Sequence, residues 1–181
     1  MTRLTIPIIA VFFLTIASCT KSGRRFDSNG LRQEIIDTLL ELERFDAVPG
    51  GVTGYRGEPS VHLETTDWFE KSITRKEAEI LFKHENTFIK SIAFEKMWSG
   101  SYPKIFDVII DSYSDTLMVY QEVGCEHIGY RLFDYYIMKA GYPFRTMEAN
   151  KNLTTRQKEI IDSLATTKDY WIKFKKRMPP M

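Results

Sequence analysis

The sequence predicts an all-α domain, a short stack of antiparallel helical hairpins with a Gly/Pro-rich loop near the N-terminus. Three observations carry this. Between Thr74 and Tyr113 apolar residues return every three or four positions, which gathers them on one face of a 3.6-residue turn. Residues that start and stop helices stand at the ends of those runs. A tract rich in glycine and proline from Ala47 to Val61 interrupts the periodicity. Short helices with an apolar stripe, joined by breaks of a few residues, bury that stripe most readily against antiparallel neighbours.

In chain order, Met1–Ser18 has a base near its start, a long apolar run and small residues at its end, the pattern of a secretory leader. The run from Leu4 to Ala17 carries Pro7 and is short for a membrane span. Ile16-Ala17-Ser18-Cys19 resembles a bacterial lipobox. That resemblance implies cleavage before Cys19, acylation of its thiol and a mature chain held on a bacterial membrane without crossing it. The plainer alternative is an ordinary cleaved leader with an incidental cysteine. Residues 19–27 then form a lipidated tether, and residues 28–181 a single helical domain. No acidic run follows Cys19, so the expected placement is the outer membrane, facing the periplasm.

Leu31–Phe45 repeats Leu31, Ile35, Ile36, Leu39, Leu42 and Phe45 at helical spacing, with Asp27-Ser28-Asn29 as possible caps. The Ala47–Val61 tract has two readings. It can fold as an Ω-like cap over the helical stack, or expose Tyr55, Arg56 and Glu58 as a recognition surface. It lacks the Gly-Lys-Ser/Thr ending of a phosphate loop. His62–Lys71 is expected to be helical, with Leu63, Trp68 and Phe69 inward.

Thr74 and Glu77 have capping-box spacing, and Ala78, Leu81 and Phe82 follow on one face. Asn86 suits the N-cap of a second helix, which lines up Ile89, Ile92, Ala93 and Met97 and leaves Lys90 and Glu95 toward solvent. Ser99-Gly100-Ser101 stops it, and Pro103 suits the start of a third helix carrying Ile105, Phe106, Ile109, Ile110 and Tyr113. The stretch His84–Met97 resembles the second helix of a HEAT-type repeat, on a polar turn at His84–Asn86, Ile89-Lys90, Ala93 and Met97. A looser echo follows at Asp115, Val119 and Val123, with Gly124 breaking the pattern. The resemblance implies an α-solenoid scaffold and, for function, only a surface for partners.

Leu117–Glu126 is expected to be a weaker helix and Ile128–Ala140 a ring-dense one, apolar on most sides and ended by Gly141-Tyr142-Pro143. Its rings belong in the core or line an aromatic groove. Thr154 and Gln157 repeat the capping-box spacing before Ile160, Ile161 and Leu164. Tyr170, Trp171 and Phe174 mark a last short helix with a basic end.

Without Arg3 of the leader the chain has 24 bases against 24 acids, a balance that argues against nucleic acid as a partner. Cys125 is the only cysteine after Cys19, so no intrachain disulfide forms in the mature domain. His62, His84 and His127 form no metal-ligand pair, and no cofactor or metal is expected. Cys125-Glu126-His127 groups a thiol, a carboxylate and an imidazole, yet neighbours on a helix face different ways. Asp107 and Asp111 fall on the polar side of their helix, and no Gly-x-Ser-x-Gly elbow occurs. The expected function is therefore a non-enzymatic, lipid-anchored scaffold binding an envelope protein. One variant is an immunity-type lipoprotein that neutralises a delivered toxin. The contrasting class is an enzyme or small-ligand receptor built on residues 47–61.

Overall fold

The structure, a computed structural model, describes residues 26–45, 47–49, 62–123, 126–143 and 152–167. Among them are seven helices and a small sheet: α1 (Gln33–Leu42), β1 (Ala47–Val48), α2 (Leu63–Ser72), α3 (Arg75–Leu81), α4 (Thr87–Ser99), α5 (Ile105–Asp111), β2 (Met118–Val123), β3 (Glu126–Arg131), α6 (Leu132–Lys139) and α7 (Thr155–Thr167). No described helix is long and apolar enough to cross a membrane.

The purely helical expectation is overturned. A three-stranded mixed sheet of order β1-β2-β3 flanks the helices, with β1 parallel and β3 antiparallel to β2. The segment expected as a weak helix, Leu117–Glu126, is mostly β2, and the first residues of the ring-dense segment are β3. The described residues form no repeat solenoid. Val119 and Val123, which carried the second HEAT-type echo, lie in an extended strand, so the hairpin stack does not propagate. The physical reason is local. Met118-Val119-Tyr120 alternates exposed, buried, exposed, the period-two pattern of a strand with one wet face.

The helical core follows the sequence closely. Thr74 Oγ1 accepts from the Glu77 amide while the Glu77 carboxylate accepts from the Thr74 amide, closing the capping box that starts α3. Asn86 Oδ1 accepts from the amides of Phe88 and Ile89 and so caps α4. Thr154 and Gln157 close the equivalent box on α7. Helix α4 is the centre of the fold. Seven of its thirteen residues are buried, on more than one side, and it packs on α2, α3, α6 and the sheet. Phe94 stacks on Tyr136 of α6 at 4.1 Å between ring centroids, and Ala93 is fully buried. Gly141 ends α6 at φ 83°, where a side chain would be strained, and the Tyr142 amide reaches back to the Ile137 carbonyl.

Three expectations within this core need correction. Trp68 points outward, because the buried positions of α2 are Thr66 and Phe69. Glu95 is not solvated but paired. The Asp27–Asn29 side chains do not cap α1, whose N-cap is Arg32 with no side-chain cap bond. Instead Arg32 binds the α2–α3 junction: its guanidinium donates to both Glu77 oxygens at 3.0 and 3.2 Å and to the Ser72 carbonyl at 2.6 Å.

Candidate functional site

The sheet supplies the most open apolar surface among the described residues. Val119 points into the core and is fully buried, while Met118 and Tyr120, its neighbours on the strand, face out. Tyr120 lies opposite Gly129 in the β2–β3 register, and Met118 opposite Arg131. Because Gly129 has no side chain, the Tyr120 ring and the Met118 methyl both lie across β3; a Cβ there would meet them at 3.0 and 3.1 Å. Met118 and Tyr120 retain 36% and 43% exposure, and Leu117, which precedes the strand, retains 43%.

The backbone beneath this surface is fixed on several sides. Thr87, first residue of α4, donates its hydroxyl to the Met118 carbonyl at 2.7 Å. The Leu132 amide donates to the Leu117 carbonyl at 3.1 Å where β3 passes into α6. On the other edge β1 pairs Ala47 with Tyr120 and Val48 with Gln121. A row of exposed apolar side chains on a rigid, half-buried sheet is a surface suited to association, not to proton transfer.

The same edge roots the Gly/Pro-rich tract. Its first residues are β1, and its far end is His62, whose Nε2 lies 3.3 Å from the Ala47 carbonyl. The His62 ring stacks on Phe45 at 4.0 Å and meets Phe88 edge-on. The two ends of residues 47–62 are thus joined beside Tyr120. Tyr55, Arg56 and Glu58, the recognition residues expected on this tract, lie outside the described residues, as do Cys19, Cys125 and the basic C-terminal segment.

Three further polar side chains singled out by the sequence, His84, Asp107 and Asp111, are structural or solvated, and those of Glu126 and His127 lie outside the described ones. His84 Nδ1 accepts from the Asn86 amide at 3.0 Å, which leaves Nε2 to donate to Glu43 at 2.8 Å. Asp107 and Asp111 are exposed. No group of three or more metal-ligating side chains occurs among the described residues. The ring-dense segment is core and not a groove, with Phe133, Tyr135 and Tyr136 almost fully buried.

Sequence reasoning missed two clusters. The first joins α4 to α6: the Tyr135 hydroxyl donates to Glu95 at 2.5 Å, and the Lys139 ammonium pairs with the same carboxylate at 2.8 Å. Burial, reinforced by Glu95, pushes the Tyr135 hydroxyl well above its ordinary range, so it stays a donor. Burial, with Glu95 nearby, also raises the Glu70 carboxyl. The second is the Arg32–Glu77 clamp. Burial alone would raise Glu77, but the guanidinium and the amides of Thr74 and Arg32 outweigh it and hold the carboxyl at about 2. Both clusters join residues more than thirty-five positions apart, so no local spacing announces them.

No protein-family model matches this chain, and comparison with curated proteins and with solved structures finds no match either.

Proposed function

We propose that this chain is a lipid-anchored protein of a bacterial cell envelope that binds another envelope protein through the outer face of its sheet. The observation that carries the reading is the exposed Met118–Tyr120 surface, held on a backbone pinned by α4, β1 and β3. Such a surface is costly to leave wet and inexpensive to cover: at about 25 cal/mol per Å² of apolar area, covering two or three large side chains supplies several kcal/mol toward association. The lipobox-like Ile16–Cys19 supports the anchor.

The test of binding is the double variant Met118→Thr/Tyr120→Thr, which keeps strand propensity while removing the apolar reach. It should melt within about 1 kcal/mol of the native protein and lose its partner in envelope co-purification. Retention of the same partner by a folded variant would refute the sheet-face reading. For the anchor, Cys19→Ala should abolish palmitate incorporation and membrane fractionation. A variant that still incorporates label would show that the acyl chain sits elsewhere.

A further inference from the structure

A cavity of about 330 Å³ opens between α3, α4 and α5, away from the sheet. Its floor is apolar, made by Ile80, Phe82, Met97, Tyr102 and Val108, of which only Met97 is fully buried. Its rim is charged: Lys76 and Lys83 stand on the α3 side with Glu79 between them. Positions 76, 79, 80 and 83 follow one another at three- and four-residue spacing, so α3 and the turn after it put these groups on one face. Among the described residues neither ammonium has a hydrogen-bond or ion-pair partner, so both are free to meet a ligand.

We propose that this cavity binds a single-chain amphiphile with a monoanionic head, an alkyl carboxylate or a lysophospholipid phosphodiester. The floor suits the alkyl chain and the two ammonium groups suit the anion. Two lysines against one glutamate leave the rim at a net charge of +1, which matches one negative charge rather than two. The volume lies at the lower end of small-ligand sites and is too small for a partner helix about 10 Å across. The fold's first residues run beside the site. Phe26 packs on His84 at 4.5 Å, next to Lys83, and Gly30 lies against Ile80, which lines the cavity. From Phe26 an extended chain to Cys19 reaches about 25 Å, so an anchored protein would hold the cavity near a bilayer that supplies such amphiphiles. The cavity argument itself does not depend on the anchor or on the sheet-face partner.

The test is a titration of the full chain, held in nanodiscs of zwitterionic lipid, with a fluorescent undecanoate probe, corrected for uptake by empty discs. Saturable binding at one probe per chain is expected. Displacement by unlabelled laurate or by a lysophosphatidylglycerol distinguishes carboxylate from phosphodiester heads, and dodecanol should displace the probe at least about tenfold less well. Lys76→Gln/Lys83→Gln should weaken binding by about tenfold, and Val108→Trp, which narrows the cavity, should weaken it by at least as much, both with native circular dichroism. Uptake that rises without saturation, or that is unchanged in the folded lysine and Val108 variants, would overturn the proposal. So would equal displacement by dodecanol.

Discussion

Helix α4 and strand β2 lie side by side, joined by the Thr87–Met118 hydrogen bond, and treat their apolar residues in opposite ways. In α4 the apolar side chains from Phe88 to Met97 are all buried, and the polar Glu95 is bonded to α6. In β2 Val119 is fully buried, while Met118 and Tyr120 are left on the surface across a glycine of the next strand. The difference teaches where this protein can change. Loss of a contact around α4 opens a cavity or strands a charge, and the whole domain registers it. Loss of a side chain from the outer sheet face removes little that the fold uses, so a change there can be read in binding without a change in folding.

The largest expected effect falls on the α4 side. Ala93→Asp puts a charge with no partner at a position with no exposure. The cost exceeds about 4 kcal/mol, a large share of a small domain's stability. Loss of the cooperative thermal transition should follow, and a native melting curve would show that α4 is not the centre of packing.

A smaller effect separates the Arg32–Glu77 clamp from the sheet. Glu77 is held at about 2, below the ordinary 4.5 of a glutamate. Because the folded value is depressed, the stability it contributes is complete above about pH 4.5 and is lost as pH falls toward 2. Glu77→Gln should therefore cost on the order of 2 kcal/mol near neutral pH and flatten the acid side of the stability curve across that window. An acid profile unchanged by Glu77→Gln would place the linkage elsewhere, and neither profile should alter partner binding.

The two regions also differ in how plainly the sequence declares them. The α3–α5 stretch was legible because its signals are local: a capping box at Thr74, an N-cap at Asn86, a stop at Gly100 and apolar residues at helical spacing. The hairpin was not read, although its signals are local too. Val119-Tyr120 and Tyr130 are strand-formers, and Gly124-Cys125 separates the two runs by a two-residue connection. Asp115, Val119 and Val123 also fit a loose helical echo, and short apolar runs satisfy both periods. β1 could not have been read at all. Two residues have no periodicity, and Ala47–Val48 become a strand only because β2 arrives beside them from more than seventy residues away. The candidate site shares that difficulty, since Met118 and Tyr120 can lie across β3 only because Gly129, opposite in the register, has no side chain.

Gly129→Thr tests most directly whether recognition and stability are separable here. Threonine improves strand propensity at a position where glycine weakens it, while its side chain pushes the Tyr120 ring and the Met118 methyl off β3. Thermal melting and partner capture should be measured on the same preparation. The account predicts a melting temperature unchanged or slightly raised together with partner binding weakened by about tenfold. Native binding in the folded variant, or a fall in binding that only tracks a fall in melting temperature, would contradict it.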